Sequence, residues 1–135
     1  MSKRRLLIVD DEQDIAFTLH TALQESGFEV VSFSDPLLAL QRFKPRYYDL
    51  MILDIRMPDM NGFELYRQIR RKDKEVKVCF LTAVREFREY EQYKGEVYPK
   101  LGERYFLAKP VSNDELIRKV NEILTTNDNY YLKSI

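Results

Sequence analysis

Leu50-Met51-Ile52-Leu53-Asp54 is the stretch whose reading decides the fold. Four apolar residues bounded by polar sequence predict a strand buried on both faces. A carboxylate placed directly after such a strand stands at its carboxyl end. In open parallel sheets that rim is where ligands bind. The loop that follows, Ile55-Arg56-Met57-Pro58-Asp59-Met60-Asn61-Gly62, is rich in turn residues. Asp54 is therefore expected at a rim, not in mid-strand.

Outward from this strand, four more apolar runs predict strands over 6–9, 28–33, 76–81 and 105–108. Helical spacing of apolar residues fills the intervals. Over 13–26, Ile15, Leu19, Ala22 and Leu23 share a face, and Gly27 is a natural stop. Ser34-Asp35-Pro36 opens a helix over 36–44 with Pro36 at its first position and Leu37, Leu40 and Phe43 inward. Leu65 and Ile69 mark a helix over 62–71. Phe87, Tyr90 and Tyr93 keep helical spacing up to Lys94, before Gly95 and Pro99 break it. Ser112 and Glu115 stand in capping-box spacing at the start of a last helix that runs to Thr126, with Leu116, Val120, Ile123 and Leu124 inward. The order is (βα)5. Strands joined by helices predict a doubly wound, flavodoxin-like α/β sandwich with a parallel sheet of order 2-1-3-4-5.

The chain has 135 residues, enough for one domain with its own core, and 44% of them are hydrophobic. Lys plus Arg and Asp plus Glu are equal at 22 each, so no basic footprint for nucleic acid follows. The cluster Arg67, Arg70, Arg71, Lys72 and Lys74 falls at a helix C-terminus, where cations suit the helix dipole. Cys79 is the only cysteine and lies in an apolar strand, so it reads as a buried structural thiol. No stretch is long enough to cross a bilayer and no signal peptide opens the chain, which predicts a cytoplasmic protein. His20 lies beside the apolar face of its helix and reads as an inert surface residue without a ligand partner.

Four strands end in residues capable of chemistry: Asp10 and Asp11, Asp54, Thr82 and Lys109. With strands 1 and 3 adjacent at ~4.8 Å, the three acids share one pocket, and Lys109 starts roughly 10 Å away, within reach of its long side chain. Two ionised carboxylates at ~4 Å repel by on the order of 4 kcal/mol at an effective dielectric of about 20. Either one acid is protonated or a cation is bound. Oxygen ligands without His or Cys favour Mg²⁺. A carboxylate nucleophile, a divalent cation, a lysine and a hydroxyl are the ingredients of phosphoryl transfer.

Asp10-Asp11, Asp54, Met57-Pro58, Thr82-Ala83 and Lys109-Pro110, in this order and at strand ends, resemble the receiver domain of two-component response regulators, of the single-domain, chemotaxis-regulator-like type. The likeness covers nearly the whole chain, to about Thr126. It implies that Asp54 takes a phosphoryl group from a phosphohistidine on a sensor histidine kinase or phosphotransfer protein. It implies that Asp11, Asp54 and the backbone carbonyl of Arg56 ligate Mg²⁺, with Asp10 holding it through water. Lys109 would pair with the phosphoryl group and Thr82 would close onto it. Phe106 occupies the place of the family's aromatic switch, which turns inward as Thr82 moves. Lys109-Pro110 resembles a bond that is cis in the family. The resemblance further implies a signalling switch with self-catalysed phosphotransfer and autodephosphorylation, not a turnover enzyme. Its partners would be the kinase and a downstream protein, with no direct nucleic-acid or membrane binding. The face made by the helix after strand 4, strand 5 and the last helix would admit a homodimer.

Three rivals are weighed against this reading. A Mg²⁺-dependent aspartyl phosphatase of the haloacid-dehalogenase type needs a second acid two places after its nucleophile, where this chain has Arg56. A flavodoxin-like cofactor binder must cradle phosphate in its first loop, and Asp10-Asp11-Glu12 repels it. A degenerate receiver, acting as an unphosphorylated interaction module, would not need the complete set of acids, Thr82 and Lys109. One region departs from the family pattern: 27 positions separate Thr82 from Lys109, and they hold Phe87, Tyr90, Tyr93, Tyr98 and Tyr105. These aromatics read either as core and loop packing or as a partner patch. Residues 1–126 are expected to form the receiver and 127–135 a C-terminal tail.

Overall fold

A computed structural model describes residues 3–83 and 105–126 of the chain. Among them the order is β1 (Arg5–Val9), α1 (Gln13–Glu25), β2 (Glu29–Phe33), α2 (Pro36–Arg42), β3 (Leu50–Asp54), α3 (Gly62–Lys72), β4 (Lys77–Thr82), β5 (Phe106–Ala108) and α4 (Asn113–Thr125). The strands form one parallel sheet of order β2-β1-β3-β4-β5. α1 packs beside α4, and α2 beside α3. The expected fold class and strand order therefore hold. The helix expected over 85–94, its aromatic neighbours up to Tyr98, and the tail over 127–135 lie outside the described residues.

β3 is buried along its whole length, as its unbroken apolar run requires, and Leu6 to Val9 of β1 are buried beside it. Leu19, Ala22 and Leu23 of α1, Leu65 and Ile69 of α3, and Leu116, Val120, Ile123 and Leu124 of α4 close over the sheet. Ile15 only packs against the edge of this core, and Ala16 is buried in its place. In α2 the expected face holds at Phe43, which is buried, and at Leu40, which packs against the core, but not at Leu37. Leu37 is 47% exposed, while Pro36, Ala39 and Phe43 are buried. Those three sit at i, i+3 and i+7, a stripe of the same period one residue out of phase with the leucines.

Side chains and turns finish the helices. Asp35, Asn61 and Ser112 accept from the backbone N–H of Leu37, Glu64 and Glu115, capping α2, α3 and α4. α1 ends in a Schellman motif: Phe28 N–H donates to the Leu23 carbonyl and Gly27 N–H to that of Gln24, with Gly27 at φ 97°. The Lys77 ammonium donates to the carbonyls of Ile123, Leu124 and Thr126, which ties the end of α4 to the start of β4. Buried Asp73 accepts from the N–H groups of Arg46 and Glu75, fastening the chain after α3 to the turn before β3. Within the basic cluster, Arg67 pairs with Glu64, and Arg70 is buried, donating to the Lys74 carbonyl. His20 is half-buried, and its Nδ1 lies 2.9 Å from Ser32 Oγ on β2, a contact the sequence did not suggest. The cause is lateral packing of α1 on β2, which helical periodicity does not report.

Candidate functional site at the carboxyl edge of the sheet

The strand register sets the site. Asp54 ends β3 opposite Leu81, Thr82 ends β4 opposite Ala108, and Asp10 follows β1, its N–H donating to the Phe33 carbonyl. Lys109 N–H donates to the Thr82 carbonyl, which fixes where the lysine leaves the sheet, and the Lys109-Pro110 bond is cis as the resemblance implied. Lys109 Nζ reaches 3.1 Å from Asp54 Oδ1, 3.2 Å from Asp10 Oδ2 and 3.5 Å from Glu12 Oε1. The distance estimated from strand spacing is thus covered by the side chain.

Both aspartates are buried. The Glu12 N–H donates to Asp10 Oδ1 at 2.9 Å and fixes that carboxylate's orientation. Burial, followed by the Asp10 charge, pushes the Asp54 carboxyl up to about 7 although the Lys109 ammonium pulls it down. The neighbouring Asp11 side chain adds a smaller upward push on Asp54. Asp10 is raised as well, by burial, against the pull of the Glu12 N–H and Lys109. Burial alone would lower the Lys109 ammonium, but the Asp10 and Asp54 charges win and hold it above its ordinary value. One ammonium faces three acids, Asp10, Glu12 and Asp54, so the site carries excess negative charge whenever they are ionised.

Asp10 Oδ2 and Asp54 Oδ1 face Lys109 as ion pairs, yet neither makes an aligned hydrogen bond. Buried carboxylate oxygens with unused acceptor capacity, in an all-oxygen donor set, fit a hard divalent cation. One oxygen each of Asp10, Glu12 and Asp54 lies within 4.8 Å of the others. Glu12, not Asp11, completes this trio. Reading the acids as strand-end pairs passed over Glu12, although the run Asp10-Asp11-Glu12 was the signal. Arg56 is exposed two places past Asp54.

Thr82 is buried, and its hydroxyl donates to the Ala83 carbonyl at 2.9 Å. Phe106 is already inside: it stacks on Phe80 at 5.3 Å and lies 6.3 Å from Phe63. Gly62, at the start of α3, is a further residue that the sequence left unassigned to the site. A Cβ there would overlap the Asp54 carbonyl oxygen, so glycine is what lets α3 start against the end of β3. The Gly62 N–H donates to the Ile55 carbonyl at 2.8 Å.

The comparisons with known proteins agree with this geometry. A family model described as the response regulator receiver domain matches residues 6–121. The transcriptional regulatory protein CreB of Escherichia coli is 37% identical over 92% of this chain and 52% of its own length. The response regulator SaeR of Staphylococcus aureus is 32% identical over 93% of this chain and 53% of its own. The chain spans about half the length of these curated relatives. Among solved structures, the non-phosphorylated HemR receiver domain of Leptospira biflexa superposes with a TM-score of 0.78 at 29% identity, covering 93% of this chain and 97% of that one. The Vibrio cholerae chemotaxis protein CheY4 gives 0.72 at 27% identity, covering 90% and 99%. Acids at the ends of β1 and β3, a lysine after β5 and a family match over most of the length converge: this chain belongs to the response regulator receiver domain family.

Proposed function

We propose that Asp54 is the phosphoryl acceptor of a phosphorelay switch. One oxygen of the Asp54 carboxylate attacks the phosphorus of a phosphohistidine on a sensor histidine kinase or phosphotransfer protein. The O–P bond forms as the N–P bond breaks, and the imidazole leaves as the neutral group or takes a proton from water. Lys109, already 3.1 Å from Asp54, follows the new charge onto a phosphoryl oxygen. Thr82 exchanges the Ala83 carbonyl for a phosphoryl oxygen, a contact that exists only in the modified state and so biases the β4–β5 face. Asp10, Asp11, Asp54 and the backbone carbonyl of Arg56 would hold Mg²⁺, Asp10 through water. When bound, that cation supplies charge neutralisation for the acids and the phosphoryl oxygens. The chain then acts as a switch with self-catalysed transfer and hydrolysis, not as a turnover enzyme.

The observation that carries this reading is the single ammonium of Lys109 set between two buried carboxylates, Asp10 and Asp54. Residues 1–126 form the receiver unit in this account, in keeping with the family match over 6–121, and 127–135 a tail. A cytoplasmic location follows from the kinase partner, and no described helix is long and apolar enough to cross a membrane. Output passes to a downstream protein or a second copy across the face around β5 and α4, with no contact of this domain to nucleic acid or membrane. Incubation with acetyl phosphate and Mg²⁺, read by intact mass, tests the proposal. One phosphoryl group is expected, lost on chelation and in Asp54→Asn. No addition to the wild-type protein would overturn it.

A further inference from the structure

Glu12 occupies the N-cap position of α1, yet its side chain makes no capping hydrogen bond. Glutamate is a poor choice there, where Ser, Thr, Asp or Asn would close the first turn. Capping therefore does not explain the side chain's placement. It reaches back over the rim instead, with Oε1 3.5 Å from Lys109 Nζ and the side chain 61% exposed. Its own backbone N–H meanwhile locks Asp10 Oδ1. Glu12 thus acts twice at one site, once through the main chain on Asp10 and once through the carboxylate on Lys109.

The trio Asp10, Glu12 and Asp54 places one oxygen each within 4.8 Å of the others. The three oxygens are close enough together for one ion and its bound water to serve them all. Asp10 and Asp54 are buried and fixed, with oxygens that lack an aligned hydrogen bond. Glu12 is the exposed, long-stemmed member on the solvent side.

We propose that Glu12 is a positioning residue for the divalent cation, gripping its hydration shell from solvent, and that without the cation it ties Lys109 to the start of α1. This inference rests on the receiver reading above and adds to it an acid outside the set that the family resemblance assigned. Loss of the carboxylate weakens cation binding and leaves the core untouched.

The test is calorimetric titration of Mg²⁺ into the full chain and its variants, paired with thermal melting. Glu12→Gln is expected to weaken Mg²⁺ binding by about 3–10-fold, below the 10–100-fold typical when a buried outer-shell partner is lost, because Glu12 is largely exposed. Its Tm in chelator is expected to stay within about 2 °C of wild type, the scale of a substitution away from the core. Phosphorylation by acetyl phosphate is expected to need proportionately more Mg²⁺ for half its maximal rate. Asp14→Asn, the same charge change two residues on in the first turn of α1, controls for the general field and is expected to bind Mg²⁺ as wild type does. Unchanged affinity in Glu12→Gln, an equal loss in Asp14→Asn, or a loss accompanied by a large fall in Tm would each overturn the proposal. If the wild-type chain takes up neither Mg²⁺ nor phosphate, the receiver reading itself fails. If it takes up both and Glu12→Gln matches it, only the role of Glu12 falls.

Discussion

At Asp54 the fold holds a carboxyl group that resists ionisation, and the consequence is measurable as stability. Its ordinary value of 3.8 is raised to about 7, by burial first and the Asp10 charge second. Between these values the folded state binds more protons than the unfolded one, so stability contributed at this residue falls as pH rises from about 4 to about 7. Above that range the full cost is present; below about 4 it is absent. Asp54→Asn is therefore expected to stabilise the metal-free protein at pH 7.5 by about 1–3 kcal/mol, and by much less at pH 4.5. Urea unfolding in chelator at the two pH values checks this, and a gap independent of pH would contradict it. Gly62 is the second sensitive residue. Gly62→Ala drives a methyl into the Asp54 carbonyl, with an expected loss of about 1–3 kcal/mol and a slower phosphorylation rate. Wild-type stability and rate in that variant would show that the end of β3 yields freely. Residue type and spacing made Asp10, Asp11, Asp54, Thr82 and Lys109 legible as candidates. They did not reveal Glu12 or the Gly62 contact, because side-chain direction and close backbone approach are properties of packing, not of pattern.

Among the elements, the period of apolar residues located every strand and helix of the described residues to within a few positions, since both faces of the sheet demand it. Phase was harder than period. α2 is placed so that Ala39, not Leu37, meets the core beside Phe43. Long-range links were also invisible. The Lys77 ammonium serves carbonyls 46 to 49 residues away at the end of α4. Lys77→Met keeps much of the stem and removes the donor, so it is expected to cost about 1–2 kcal/mol and to speed amide exchange in the last turn of α4. Unchanged exchange there would show that the helix end needs no such cap. Phe106 on β5 is stacked on Phe80 inside the core before any modification. Phe106→Ala is expected to lose about 3 kcal/mol by chemical denaturation, the cost of an emptied aromatic site. A loss under about 1 kcal/mol would mean that the ring contributes little packing. Phenylalanine has no hydroxyl to hold outside, so any change at this face must be transmitted by how Thr82 and the neighbouring backbone settle.

For the whole molecule, the parallel sheet matters because it delivers separate strand ends to one edge. Asp10, Asp54 and Lys109 are distant in sequence and meet within 3.2 Å of the lysine nitrogen. That convergence was inferable from strand order alone, since adjacent parallel strands must end side by side. At the opposite edge a groove of about 550 Å³ is lined by Arg4, Arg46, Tyr47, Asp49 and Lys77, among others, and by none of the residues of this site. Cation binding should be visible globally. Mg²⁺ at about 100 times its Kd is expected to stabilise the fold by about 2.7 kcal/mol, an effect that Asp54→Asn should largely remove. Equal stabilisation of both proteins would place the ion elsewhere. The central claim is that folding makes Asp54, and no other acid, the acceptor. Borohydride reduction after acetyl phosphate treatment, followed by peptide sequencing on a mass spectrometer, tests it most directly. Conversion of an aspartyl phosphate to the corresponding alcohol is predicted at position 54 alone; conversion at Asp10 or Asp11, or at none of the three, would contradict the account.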